Sequence, residues 1–172
     1  MRFAAQRNDN LVNQSVAGQN SGDEAADYHN AVFVGYDGKT PRYATLRGTL
    51  SGNGFKRDVT GSSKQFCFSI TGKGNGKLNV FECAIDALSY LTQVKMQGAD
   101  WRQESVLSLG GVYQSRPNET PKVPTALQGY LERHTDVQEI VLRLDNDVVG
   151  RGAASAISQA ISDLPVSVEL PV

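Results

Sequence analysis

From residue 77 onward, apolar residues arrive in two alternating patterns. Short continuous runs, "LNVF" at 78–81, "SVLSL" at 105–109, "IVLRL" at 140–144 and "VSVEL" at 166–170, read as buried strands. Between them, "CAIDALSYLTQVKMQ", "PTALQGYLERH" and "GRGAASAISQAI" carry apolar residues at helical spacing. In the first of these, Ile85, Leu88 and Leu91 or Tyr90 are expected to face the core. Strand and helix alternate throughout, which predicts an α/β domain over residues 77–172, a parallel sheet flanked by helices.

The upstream pattern is different. In "HNAVFVGYDGKTPRYATLRG" two β-rich runs flank the turn-forming "DGKTP", and "GFKRDVTGSSKQFCFSI" continues with aromatic and β-branched residues broken by Gly and Ser. Residues 28–76 are therefore expected to form a small β-rich subdomain. Residues 1–27, rich in Asn, Gln, Ser, Gly and Ala, are expected to form a flexible arm, or to be part of something larger. The connector "TGKGNGK" lacks the spacing of a phosphate-binding loop and is read as a linker.

A net charge of −1 conceals an asymmetry. Eight of the 17 basic residues, but only one of the 18 acidic ones (Asp58), lie between Lys39 and Lys77. The basic stretch fits a polyanion-binding surface, and the acidic remainder a metal-binding pocket; a lysine-guarded sheet edge is the alternative for the former. The two cysteines, Cys67 and Cys83, form no zinc-type cluster, and His29 and His134 are isolated, so any reaction must run on carboxylates. No apolar run approaches the roughly 20 residues needed to cross a bilayer. The N-terminal "MRFAAQRNDN" lacks the apolar stretch of a secretion signal, so the expected location is cytoplasmic, with no membrane partner.

Ligands of an open parallel sheet collect at the carboxyl ends of its strands. Glu82 follows "LNVF" there, Asp145 and Asp147 follow "IVLRL", and Asp86 lies one helical turn beyond Glu82. Four carboxylates at one edge repel one another unless cations intervene, and hard oxygen donors without sulfur or imidazole favour Mg²⁺ or Mn²⁺. Asp145, Asp147 and Asp86 are the candidate metal ligands. Glu82, leading a strand-to-helix turn, is the candidate general acid or base.

Taken together, "VFECAIDALSY", "SLGG" and "VLRLDNDVVGRGAA" resemble the Toprim domain of bacterial primases, topoisomerases and certain nucleases. The family's glutamate and DxD fall on Glu82, Asp145 and Asp147, and its glycine turn on Gly110 and Gly111. The primase branch is the most similar, matching Asp86 and also Gly150, Arg151 and Ala154. Many of its members carry glycine where Cys83 stands here, a departure expected to tighten the space near the metal. The segments "NAVFVGYDGKTPRYATLRG" and "GSSKQFCFSI" resemble the small domain that precedes Toprim in proteins of bacterial mobile and conjugative elements.

The resemblance implies Mg²⁺-dependent phosphoryl or nucleotidyl transfer on nucleic acid, in replication or transfer of a mobile element. Its expected partners are single-stranded DNA or RNA, nucleoside triphosphates and other domains or proteins of a replication or conjugation complex. Arg47, Lys56, Arg57, Lys64 and Arg151 are the expected phosphate contacts, Arg151 having a pairing with Asp147 as its alternative. Two other functions remain open at this point: a metal-dependent nuclease on the same site, and a non-catalytic nucleic-acid-binding module that keeps the fold as scaffold.

Overall fold

The computed structural model describes residues 14–15, 29–49, 54–74, 76–112 and 120–169. The chain divides into two compact units, residues 1–63 and 64–172.

The first unit is a four-stranded antiparallel sheet in the order β1 (Gln14–Ser15), β2 (His29–Asp37), β3 (Thr40–Gly48) and β4 (Lys56–Asp58). The β2–β3 hairpin turns at Gly38, whose φ of 57° is the left-handed conformation a tight hairpin requires. Val32, Phe33, Val34 and Tyr43 are buried. Ser62 clips the following segment to Ala44, its hydroxyl accepting from the Ala44 N–H and donating to the Ala44 carbonyl. Of the arm expected at 1–27, only Gln14–Ser15 falls among the described residues, as the edge strand beside β2.

The second unit is a five-stranded sheet in the order β5 (Ser69–Ile70), β7 (Ser105–Ser108), β6 (Lys77–Phe81), β8 (Glu139–Arg143) and β9 (Val166–Val168). Its helices are α1 (Ala84–Met96), α2 (Thr125–Arg133) and α3 (Val148–Ala160). The sheet is mixed rather than purely parallel, because β5 runs antiparallel to β7 at the edge while the other four strands are parallel. β5 ties residues upstream of 77 to this unit, and the Gly-rich connector lies inside it. Gly76, at φ 72°, accepts from the backbone N–H groups of Gln138 and Glu139 and so fastens the connector to the start of β8.

Cross-strand partners of a parallel ladder share a face. Asn79, Phe81, Val106 and Arg143 look one way, and Leu78, Val80, Leu107 and Leu142 the other. α1 covers the first face, where Phe81, Val106, Ala87 and Leu91 form one apolar cluster. Its buried stripe is Ala84, Ala87 and Leu91; Ile85, expected inside, is 45% exposed. Small alanines let the helix approach the sheet closely, and that rotates the larger Ile85 outward. On the opposite face, the Tyr130 hydroxyl of α2 bonds Thr71 and lies near Ser105, the register partner of Leu78. α3 buries Gly150, Ala153, Ala154 and Ile157, and its Ala153 and Ile157 line a pocket with Ala126 of α2. No helix among the described residues is long and apolar enough to cross a membrane.

One polar network crosses the α1 face. Asn79, 2% exposed in the central strand, donates to Glu104 Oε2 (3.0 Å) and to the Ser105 carbonyl (3.3 Å), and accepts from Arg143 Nε (2.9 Å). Tyr90 donates to the same Glu104 oxygen (3.0 Å), while the Arg143 guanidinium lies 4.5 Å from the Tyr90 ring centroid and pairs with Glu169 (2.9 Å). Burial, reinforced by the Glu104 carboxylate, pushes the Tyr90 hydroxyl up to about 12, so it stays a donor. Replacing Asn79 by the similarly sized Leu would take one hydrogen-bond partner from a carboxylate and one from a guanidinium at once, and leave the Ser105 carbonyl without its amide donor. Asn79→Leu is expected to lower stability by about 2–3 kcal/mol despite its greater apolarity, as read from urea unfolding; an unchanged midpoint would show that water replaces the amide.

Candidate metal centre at the strand ends

The carboxyl ends of β7, β6 and β8 lie side by side, with Ser108, Phe81 and Arg143 in register. Everything that follows these three strands is therefore gathered at one edge. Glu82 leaves β6, half-buried, and its carbonyl accepts from Gly111 N–H at 3.0 Å. Gly110 and Gly111, at φ 67° and 102°, make the turn after β7 as expected from the glycine pair. Lys64 Nζ donates to the Gly110 carbonyl at 3.0 Å, which braces that turn.

Two of the expected metal ligands cap helices. Asp86 sits in the first turn of α1, where its Oδ2 accepts from Cys83 N–H at 3.2 Å in a capping box. Cys83 is thus the N-cap of α1, and burial and the neighbouring Asp86 raise its thiol pKa. Asp147 is the N-cap of α3, its Oδ1 accepting from Gly150 N–H at 2.7 Å. Each carboxylate keeps its second oxygen outside these bonds. Gly150 falls in the first turn of α3 rather than in the loop before it. A methyl group there would collide with the Asp145 carbonyl oxygen, so glycine lets the helix start directly against the Asp145 backbone.

Asp145 is exposed and lies between these two acids electrostatically. Its pKa is raised, first by partial burial and then by the charges of Asp86 and Asp147. The three aspartates thus share one field, yet among the described residues no three Asp, Glu, His or Cys groups stand close enough to hold a metal ion. The expected cluster is gathered to electrostatic range and not to coordination range, because two of its members are turned toward helix N-termini. Its chemistry, hard oxygens with lone pairs outside the caps, suits Mg²⁺ or Mn²⁺.

Arg151 does not take up the expected pairing with Asp147. Its Nη1 donates to the Asn146 carbonyl and to Asn146 Oδ1, both at 2.9 Å. Arg47 lies on β3, and Lys56 and Arg57 on β4, in the first unit. His134 closes α2, stacked on Tyr130 with its pKa lowered by burial, as a structural residue would be. One cation went unnoticed in the sequence: Lys122, in "TPKVP", lines a pocket of about 130 Å³ beside Gly111 together with Lys64. No local pattern marks a lysine in a loop.

Residues 79–170 match the family described as "Toprim-like". The chain belongs to that family. Residues 11–74 match a second family, described as "Protein of unknown function (DUF3991)". In that order the two give a primase-like Toprim architecture with an N-terminal subdomain. No curated protein matches the chain. Among solved structures, the crystal structure of the primase fragment of bacteriophage T7 primase-helicase protein is similar, with a TM-score of 0.56 and 16% identity. The likeness covers 84% of this chain and 55% of that one, so this chain spans little more than half of its length. At that identity the likeness is one of fold. The Toprim-like assignment accounts for the order of the sheet edge: glutamate after one strand, glycine turn after the next, and DxD after the third.

Two expectations follow for the Toprim-like domain. Asp147→Ala is expected to destabilise it by about 1 kcal/mol through loss of the cap, whereas Asp147→Asn, an equally good cap, is expected to stay within a few tenths, both read from chemical unfolding. Because the folded-state pKa of Asp145 is raised, metal-free stability falls as pH climbs from the ordinary aspartate value through the raised one, and the deficit persists at neutral pH. Asp145→Asn is accordingly expected to melt about 1–2 °C higher than wild type at pH 7 without metal, the scale of a surface like-charge repulsion. That difference should vanish in acid; a gap that persists there would rule out charge as its origin.

Proposed function

We propose that this chain carries out Mg²⁺- or Mn²⁺-dependent phosphoryl or nucleotidyl transfer on nucleic acid, in a primase-like manner. The observation that supports this reading is the common level of the strand ends, with Phe81, Ser108 and Arg143 in register, from which Glu82, Gly110–Gly111 and Asp145 with Asp147 follow at one edge. Asp145, with the second oxygens of Asp147 and Asp86, would hold the metal. A bound divalent cation supplies charge neutralisation and alignment for a phosphate.

The rest falls to the chain's own residues. Glu82 stands at the adjoining strand end as the group that takes or returns a proton at the attacking oxygen. Arg151, exposed and oriented by Asn146, supplies a cation beside the acids for a phosphate oxygen. Arg47, Lys56 and Arg57 provide phosphate contacts on the first unit, and Lys64 on the second. The partners of this reading are single-stranded DNA or RNA and nucleoside triphosphates, within a replication or transfer complex of a mobile element.

The test is a gel assay with labelled single-stranded DNA, nucleoside triphosphates and Mg²⁺ or Mn²⁺. Asp145→Asn/Asp147→Asn is expected to cut metal-dependent product formation by more than about 100-fold, since even groups one shell removed from a metal cost 10–100-fold. The fold is expected to persist, because an asparagine at the N-cap of α3 still caps the helix. Longer products identify polymerisation and shorter ones a nuclease; activity unchanged in the double variant would refute the assignment of these acids.

A further inference from the structure

β4 is the outer strand of the antiparallel sheet, and its charge is lopsided. Arg47 and Lys56 are direct register partners across the β3–β4 ladder, and Leu46 faces Arg57 one step further along. Like charges placed opposite each other on a sheet are destabilising, by up to about 1 kcal/mol. No ion pair or hydrogen bond of the Arg47, Lys56 or Arg57 side chain occurs among the described residues, and Lys56 and Arg57 are exposed. The one acid of this segment, Asp58, is engaged elsewhere: its Oδ1 accepts from the buried Tyr43 hydroxyl at 2.8 Å.

Immediately before these cations stands Phe55, with 39% of its surface exposed. Its backbone is fixed, since its carbonyl accepts from Gly48 N–H at 2.9 Å and extends the β3–β4 ladder. Side chains alternate along a strand, so Phe55 and Arg57 project to one side, roughly 6.6–6.8 Å apart along the chain, and Lys56 with its partner Arg47 to the other. An exposed ring on the same side as Arg57, at an edge where Lys56 and Arg47 also lack partners among the described residues, offers a surface that is both apolar and positive. Duplex DNA exposes phosphates and buries its base faces, so it could use only the charge. A single strand can use both.

We propose that the β4 edge is a docking platform for single-stranded nucleic acid, on which Phe55 stacks against a base and Arg57, on the same side, holds the neighbouring phosphate, while Lys56 and Arg47, on the other side of the strand, hold the backbone where it passes round the edge. This deepens the functional reading above and rests on it for the nature of the polyanion. It assigns a role to the unit whose family carries no described function. Lys64 is excluded from the platform, because its ammonium is committed to the Gly110 carbonyl of the Toprim-like domain.

The experiment is fluorescence anisotropy of labelled oligo(dT) and of a blunt duplex with the full chain, in chelator, across a salt series. Phe55→Ala is expected to weaken oligo(dT) binding about 5- to 100-fold without altering the salt slope, and to leave duplex binding unchanged. Phe55→Trp is expected to restore binding, which a merely structural role would not allow. Lys56→Gln/Arg57→Gln is expected to flatten the slope by about 1.4, two single-strand phosphates' worth.

The platform is overturned if Phe55→Ala binds oligo(dT) as wild type does, or if it weakens the duplex equally. If wild type shows metal-dependent activity in the gel assay while Phe55→Ala binds normally, the platform alone fails. If the platform variants behave as expected while the wild-type chain is inactive with metal, only the catalytic reading fails.

Discussion

A sheet with both faces covered tolerates no slip between neighbouring strands, because a shift of one residue turns every core side chain to the wrong side. In this protein the central strand β6 carries the means of preventing it. Asn79 is the one strongly polar residue in the buried run Leu78–Phe81, and its amide is spoken for on both sides: by Glu104 and the Ser105 carbonyl toward β7, and by Arg143 toward β8. Hydrophobic burial alone would accept several registers of Val, Leu and Ile. The amide favours one, since any other costs the half-buried Glu104 and Arg143 a hydrogen-bond partner each. The alignment of Phe81, Ser108 and Arg143 at a common level follows, and with it the gathering of Glu82, Gly110 and Asp145 at one edge.

The aspartates at that edge meet one demand as caps and, on the reading proposed above, face a second that pulls in a different direction. A helix starting directly after a parallel strand leaves unsatisfied N–H groups and a partial positive charge, which a carboxylate can answer. Asp86 and Asp147 do so for α1 and α3. A metal site asks the same side chains to turn their lone pairs toward a shared centre. Each carboxylate has two oxygens, and in the caps only one is used, so the demands are compatible if the second oxygen can be brought round. Asp145 has no capping duty, and its pKa is raised first by partial burial and then by the charges of Asp86 and Asp147. Gly150 makes the compromise geometrically possible, because it lets the N-terminus of α3 press against the Asp145 backbone where any side chain would collide.

Much of this edge was legible in the sequence because it depends on chain order. Apolar runs ending in Glu82, in Gly110–Gly111 and in Asp145 declare both the strands and their carboxyl ends, and the antiparallel hairpin at Gly38 is announced by Asp-Gly. The β5 edge strand was not legible: two residues, Ser69–Ile70, carry no periodicity, and their antiparallel direction is decided by partners on β7 far along the chain. The buried face of α1 was misjudged at Ile85 because hydrophobicity favours the larger side chain, whereas close packing on the sheet favours Ala84 and Ala87. Capping was missed for a similar reason. Asp147 and Asp86 have the sequence context of ligands and of caps alike, and only the backbone geometry shows that they are already caps.

The division of charge along the chain gains a physical sense from this. Acids coupled at the end of a sheet repel a polyanion unless a cation stands between, so such an edge is poorly suited to capturing nucleic acid by itself. On the reading proposed above, a chain acting on phosphates gains from a capture surface on an element other than those that carry its acids, where positive charge meets no partner among the described residues. β4 has that character: Asp58 is diverted to Tyr43, and Arg47 and Lys56 are set opposite each other, an arrangement that folding alone would not favour. The Toprim-like domain shows the reverse arrangement, with Lys64 and Arg151 bound to backbone and amide oxygens of its turns. Cations without a partner among the described residues on β4, and coupled acids at the strand ends of the Toprim-like domain, are the division of charge that the proposed reading asks of a chain that attracts a polyanion and also concentrates a divalent metal.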